Sequence, residues 1–304
     1  MFFRLALFLF FLLGLGEAKE QDTRKTIAFV QDDMTNDFRR AQVYEAMQEA
    51  KKHKNIRFVY SDAGAKKSLL VRQLDKFIAE GVDLIIIGTN DSDILVSSVE
   101  KAFAKGIGII VLDRKINTDK YTSYIKSDNY QIGVMAAKYL LSQMKKGGTI
   151  LMLQGFEGNN VANERTNGFM DLINKHKNFK VIQKRGNYLR KDTIFVMEEL
   201  HKDGIHYDAI YSHSDSMLSG VRTFYAKHKL DSKTLLSIGV DYTSEAKNAI
   251  MQGTQDASIL FALGGKESVQ VALDFLHGKK VDKTITNPIK LITKENTPYV
   301  QPIF

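Results

Sequence analysis

The chain has 304 residues, 44% of them hydrophobic, which is enough for a large core in one or two domains. Its formal charge of +8 is spread along helix-like segments such as Lys51-Lys52 and Lys66-Lys67 rather than gathered into a block with interleaved aromatics, so no nucleic-acid partner is expected. Cysteine is absent, which excludes disulfides, thiolate metal sites and cysteine nucleophiles.

The first residues follow the plan of a secretory signal peptide. Residues 1–4 carry a positive charge, 5–15 are apolar apart from Gly14, and Gly16-Glu17-Ala18 supplies a small-residue cut site. The apolar run is too short to span a bilayer, which needs about 20 such residues. With no cysteine after it, lipid attachment is excluded as well. A signal peptide over 1–18, export to the periplasm and a soluble, monomeric mature chain starting near Lys19 are expected.

Short apolar runs then alternate with amphipathic ones. Strands are expected at 26–30 (TIAFV), 56–60, 84–87 (LIII) and 107–112 (IGIIVL), with helices at 37–53, 67–79 and 93–104 between or beside them. The pattern repeats, with strands at 148–153, 179–183, 209–212 and 235–240 and helices at 162–175, 193–201 and 217–227. Strands alternating with helices predict parallel sheets of right-handed βαβ units, and fully apolar strands predict sheets covered on both faces. Two similar α/β halves are the economical reading. Proline is confined to Pro288, Pro298 and Pro302, so no flexible linker separates the halves.

In open parallel sheets, ligands bind beyond the carboxyl ends of the strands. The segments after these strands carry Asp32, Asn36 and Phe38, then Asn90, then Asp113-Arg114. In the second half they carry Arg165, Tyr188, His213-Ser214 and Asp241. Carboxylates, amides and guanidiniums suit hydroxyl groups, and aromatic faces suit the apolar side of a sugar ring. For any one residue, polar loop chemistry or helix capping is an equally good explanation. Agreement among seven loops favours a shared site. The seven histidines show no metal spacing, and neither a nucleophile elbow nor a phosphate-binding glycine loop is present, so neither an enzyme nor a cofactor or metal is expected.

Five segments carry a resemblance when taken together: TIAFVQDDMTNDF (26–38), IIVLDR (109–114), SDNYQIG (127–133), NERTNGF (163–169) and SIGVDYT (237–243). The chain resembles the ribose-binding, type I periplasmic sugar-binding proteins over nearly all of 25–294. The resemblance implies two Rossmann-like lobes with parallel sheets joined by a three-strand hinge, one lobe from 19–126 plus 262–288 and the other from 127–261 plus 289–304. It implies sugar contacts from Asn36, Phe38, Asp113, Arg114, Arg165, Tyr188 and Asp241. At several positions the chain departs from the family pattern. Arg39 replaces a second aromatic, Asp32 a small polar residue, Ser214 an asparagine and Phe261 a glutamine, while the asparagine after the third strand falls on Gly88 with Asn90 nearby. These changes point away from ribose itself and toward a related sugar, polyol or furanose-like molecule, with an amino-bearing ligand at Asp32-Asp33 as the other option. A membrane ABC permease, or a histidine kinase or chemoreceptor, is the partner that the resemblance implies.

Overall fold

The computed structural model describes residues 22–304 except Asn159, so the expected signal peptide lies outside the described residues. The first sheet is built from β1 (Lys25–Gln31), β2 (Ile56–Asp62), β3 (Leu84–Gly88), β4 (Gly108–Leu112) and β5 (Ser123–Ser127). Between them run α1 (Asp37–Ala50), α2 (Lys67–Glu80) and α3 (Val96–Ala104). After α4 (Asn129–Gln143) the second sheet is built from β6 (Gly148–Gln154), β7 (Phe179–Arg185), β8 (Ala209–Ser212), β9 (Leu236–Asp241) and β10 (Ala257–Phe261). Its helices are α5 (Asn160–Ile173), α6 (Arg190–Lys202), α7 (Asp215–Lys227) and α8 (Ser244–Gln252). The chain ends with α9 (Gly265–Leu276), β11 (Thr284–Asn287) and β12 (Ile289–Thr293).

The sheet orders are β11-β5-β4-β3-β1-β2 and β12-β10-β9-β8-β6-β7. All pairings are parallel except β12 against β10, an antiparallel edge. The chain passes between the sheets three times: after Ser127, after Phe261 and at Pro288, which lies between β11 and β12. Proline has no backbone N–H and cannot serve a sheet interior, so it suits the point where one edge strand ends and another begins.

Each sheet is covered on both faces because successive strand residues point to opposite sides. In β3, Ile85 and Ile87 pack with Leu70, Leu74 and Phe77 of α2, whereas Leu84 and Ile86 pack with Val43 and Ala46 of α1 and Val269 and Ala272 of α9. The second sheet repeats the arrangement. Ile150 and Met152 of β6 meet Ile132 of α4 and Phe169 of α5, while Leu151 and Leu153 meet Val196 of α6 and Leu218 of α7. Each such aliphatic side chain contributes roughly 1.5–3 kcal/mol on full burial.

Three expectations shift. The helix expected from residue 93 starts at Val96, because the Asp91 carboxylate accepts the Asp93 and Ile94 N–H groups and holds 91–95 as a turn. Strand β5 and helix α4 occupy a stretch for which no element was expected. So do α8, β10, α9, β11 and β12 after residue 240.

Candidate ligand-binding site

The carboxyl ends of the two sheets face each other across a cleft lined by Asn36, Phe38, Asp113 and Arg114 from the first lobe and by Val161, Arg165, Tyr188, Ser214, Ser216 and Asp241 from the second, with Phe261 at a crossing. Several of these side chains are aimed by unusual backbone. Asp113 (φ 67°), Asn187 (φ 52°), Tyr188 (φ 58°), Asp241 (φ 112°) and Tyr242 (φ 61°) all have positive φ just beyond or at a strand end. Such conformations cost L-residues of order 1–3 kcal/mol and persist only where their surroundings impose them. At Asp113 the surroundings are Ile125, whose carbonyl accepts the Asp113 N–H at 2.8 Å, and Tyr124, whose hydroxyl donates to the Asp113 carbonyl at 3.1 Å. At Tyr242 they are Asp215 and Ser258, which accept its N–H at 2.7 and 3.0 Å.

The first-lobe wall is a cluster of dehydrated charges. Asp113 Oδ2 lies 3.8 Å from Arg39 Nη2 and 3.7 Å from Arg114 Nε, close enough to pair but too far to hydrogen-bond well. Asp113 Oδ1, Nε and Nη1 of Arg114, and both carboxylate oxygens of Asp32 are buried without a hydrogen-bond partner. Burial and then the neighbouring Arg39 cation push the Arg114 guanidinium down to about 10, against the pull of Asp113.

The second-lobe wall is better satisfied. Arg165 donates from Nε to Asn129 Oδ1 at 3.0 Å and from Nη1 to the His213 carbonyl, and its guanidinium lies 5.1 Å from the Phe261 ring centre. Helix α5, which carries it, approaches α4 closely at two glycines: a Cβ on Gly133 would stand 2.2 Å from the Arg165 carbonyl oxygen, and one on Gly168 2.0 Å from that of Tyr130. Burial pushes the Asp241 carboxyl well above the usual carboxylate range, and Arg165 opposes this only in part. A carboxyl held this way donates a hydrogen bond when protonated and accepts when ionised. The Tyr188 ring passes over Gly155, where a Cβ would lie 2.0 Å from it, and its hydroxyl has no partner.

The lobes touch across the cleft. Phe38 stacks on Phe261 with centres 4.9 Å apart, Arg114 lies 5.6 Å from the Tyr188 ring centre, and Asn36 Nδ2 reaches the Tyr188 carbonyl at 3.5 Å. At the rim, Arg190 Nη1 donates to Asp37 at 2.9 Å while its Nη2 and Nε donate to Glu245 and Ser219 of its own lobe. These contacts leave a cavity of about 30 Å³, by the measure on which one water needs ~10–15 Å³.

Of the residues expected from the sequence, Asn36, Phe38, Asp113, Arg114, Arg165, Tyr188, Ser214, Asp241 and Phe261 come together here. Asp32 stands at the back of the first-lobe wall and also borders a separate pocket with Lys66, Thr89 and Asn90. Asn90 does not reach the cleft: the Thr89 hydroxyl and Asp91 carboxylate close a turn that leaves it exposed on that outer pocket. The place expected for an asparagine is filled by the Gln31 side chain, whose amide would lie 2.5 Å from a Cβ at Gly88. Val161 and Ser216 line the cleft but were not expected there. Among the described residues, no group of three or more His, Asp or Glu side chains is arranged to hold a metal.

A family model described as a periplasmic binding protein domain matches residues 27–280. The chain belongs to this family. The ribose import binding protein of Bacillus subtilis is 30% identical over 81% of this chain and 80% of its own length. The galactofuranose-binding protein of Escherichia coli is 27% identical over 90% of this chain and 87% of its own. Among solved structures, the fructose-binding periplasmic domain of a hybrid two-component system superposes with a TM-score of 0.81 at 29% identity, covering 90% of this chain and 92% of that one.

Two outcomes follow from the second-lobe wall. Gly155→Ala should displace the Tyr188 ring and weaken ligand binding roughly tenfold or more, about 1.4 kcal/mol, with far-UV circular dichroism unchanged. Calorimetric titration with a stabilising sugar checks this, and unaltered affinity would show that the ring is dispensable. His213 is held well below its ordinary 6.5, first by burial and then by Arg165 and Arg185. An unfolded histidine takes a proton near pH 6.5 that the buried ring refuses, so its contribution is full above about 6.5 and declines as pH falls below it. The urea midpoint of His213→Gln should therefore drop less between about pH 7.5 and about pH 5 than that of the unsubstituted protein. Parallel pH profiles would rule out a neutral buried ring.

Proposed function

We propose that the protein is an exported, non-catalytic receptor that closes on one small sugar or polyol and delivers it to an ABC permease. The observation that carries this reading is the cleft itself, where the first lobe presents buried charges without hydrogen-bond partners and the second presents a fixed arginine and an unpaired tyrosine hydroxyl to the same space. Leaving such groups unpaired is costly, and hydroxyl groups, which both donate and accept, relieve the cost. We assign the principal contacts to Asn36, Asp113, Arg114, Arg165, Tyr188 and Asp241. Because each lobe supplies only part of the set, a ligand binds the closed arrangement better than an open one and shifts a hinge equilibrium toward it. A wrong epimer leaves an arginine or aspartate unmatched, which is the basis of selectivity. The family consists of sugar-binding transport proteins, which supports receptor rather than enzyme.

A second reading, a sensory input passing lobe closure to a histidine kinase, is favoured by the likeness to the periplasmic domain of a hybrid two-component system. Both readings use the same cleft and differ in what recognises the closed surface.

A thermal-shift screen of pentoses, hexoses, polyols and furanoses should find stabilising ligands. Arg114→Ala and Asp241→Ala should each then weaken binding by about 2–5 kcal/mol while preserving the fold. Full affinity in both variants would remove the site, and stabilisation by amino acids alone would remove the sugar class. Arg190→Ala deletes the rim contact between the lobes. As a half-exposed pair it is worth about 0–1 kcal/mol, so affinity should fall by up to roughly fivefold, through faster dissociation in stopped-flow traces. A dissociation rate that does not change would show that the rim does not hold the lobes.

A further inference from the structure

The three crossings between the sheets differ in length. Only Asp128 separates β5 from α4, and only Pro288 separates β11 from β12, whereas residues 262–264 separate β10 from α9. This longer crossing runs along one face of α1. Positions 38, 42, 45 and 49 share that face, and each meets a later part of the crossing chain. Phe38 stacks on Phe261, Gln42 Nε2 donates to the Leu263 carbonyl at 2.8 Å, Glu45 Oε2 accepts the Lys266 N–H at 3.0 Å, and Glu49 accepts from the Gln270 side chain. Glu45 supplies what α9 lacks, because the residue before its first turn is Gly264, which has no side chain to cap it. The fit is close: a Cβ on Gly265 would stand 2.2 Å from the Gln42 carbonyl oxygen. Gln42 is fully buried, and its Oε1 has no hydrogen-bond partner. An apolar side chain would fill the place without that orphan oxygen, so the bond to Leu263 is what the glutamine adds.

We propose that Gln42 and Glu45 are positioning residues that fasten the longer crossing to the first lobe, so that Ala262 alone is left to turn there. The proposal rests on the reading that the lobes close on a ligand. With Leu263 held by Gln42 and the start of α9 held by Glu45, each crossing keeps a single residue outside anchored structure: Asp128, Ala262 and Pro288. A hinge is a few residues that absorb the change in φ and ψ, and three connections of equal slack confine two lobes to one path between open and closed arrangements. A crossing free over three residues would let the unliganded lobes sample more arrangements, and the fraction competent to close would fall. Phe261 carries the effect to the cleft. It ends β10 one residue before the pivot and lies against both Phe38 and Arg165. Neither Gln42 nor Glu45 lines the cleft, so neither acts by touching the ligand.

The test is the spread of distances between the lobes. The chain has no cysteine, so spin labels can be placed at Lys76→Cys on α2 and Phe195→Cys on α6, both exposed. Double electron–electron resonance then reads the distance distribution in the labelled parent and in its Gln42→Met, Glu45→Ala and Val43→Ala variants. Val43→Ala removes core volume from the same helix without touching the crossing, and it is the control for lost stability. Without ligand, the distribution should widen in Gln42→Met and in Glu45→Ala. In Val43→Ala it should keep its width although the protein melts lower. Calorimetric titration uses D-ribose, L-arabinose, D-fructose, D-galactose and myo-inositol as probes. A probe that binds the parent should narrow its distribution and should lose roughly three- to tenfold in affinity in Gln42→Met, against less than about twofold in Val43→Ala. An unliganded distribution that does not change in Gln42→Met overturns the proposal and leaves the sugar site standing. So does equal widening in Val43→Ala, which assigns the effect to lost stability. If no probe binds the parent, the sugar reading fails, and the unliganded distributions still decide whether the crossing is fastened.

Discussion

The constraint on which the structure depends is dehydrated charge at the carboxyl ends of two facing sheets. Arg39, Arg114, Arg165, Asp113 and Asp241 are all buried there. In so dry a place, charge interacts strongly with charge, which is why Arg39 depresses the Arg114 guanidinium and why Asp241 retains its proton to unusually high pH. The two walls treat their charges differently. Arg165 is fixed by Asn129 and the His213 carbonyl, so the second lobe holds a preformed donor at a set place. Arg39 and Arg114 have no comparable anchors, so the first lobe holds the unmet demand. A guest that satisfies the first wall while meeting the fixed donor of the second has a reason to hold both.

The backbone bears part of the cost of this arrangement. Positive φ at Asp113, Tyr188 and Asp241 turns each side chain out of the line of its strand and into the gap. Ordinary strand geometry would send successive side chains alternately into the two helix-covered faces, where a carboxylate would meet aliphatic carbon. The strain is held by identifiable bonds, such as those from Tyr124 and Ile125 at Asp113. Glycines serve the same end by removing atoms: Gly155 makes room for the Tyr188 ring, and Gly133 and Gly168 let α4 and α5 approach closely enough to seat Arg165.

What the sequence disclosed follows from the same physics. Runs such as LIII and IGIIVL are readable because strands covered on both faces contain almost nothing polar. Strand β5, SYIKS, carries no such signal: its Ser123 hydroxyl is satisfied by the Asp282 carbonyl, a partner 159 positions away. Strands β11 and β12 are short edges whose place is fixed by the sheets they join. The rule that ligands gather at strand ends pointed to Asp113, Arg114 and Asp241, which follow apolar runs directly, and to Tyr188, which comes just after the mixed strand β7; all four line the cleft. It misplaced Asn90, because a two-residue turn made by Thr89 and Asp91 is enough to rotate a side chain out of the cleft. The burial of Arg39 was not legible, because an arginine in a polar helix reads as solvated. Its one signal was chemical, a cation standing where the family resemblance implies an aromatic.

The start of α1 gathers these threads into four consecutive residues. Asn36 caps the helix by accepting the Arg39 N–H and reaches across to the Tyr188 carbonyl. Asp37 meets Arg190, Phe38 stacks on Phe261, and Arg39 brings its donors beside Asp113. Arg190 is already held within its own lobe by Ser219 and Glu245, and Glu245 is tied through Arg222 and Gln255 to Asp215, which accepts the Tyr242 N–H next to Asp241. That guanidinium is therefore also held within its own lobe, and an ion pair that would contribute little between two free side chains loses less on forming. One end of this bonded chain is the rim and the other is the strand end that presents Asp241. The α1 N-terminus thus sets a cap, an ion pair, an aromatic face and a guanidinium at the cleft within four residues, so contacts between the lobes gather at one helix end rather than being scattered.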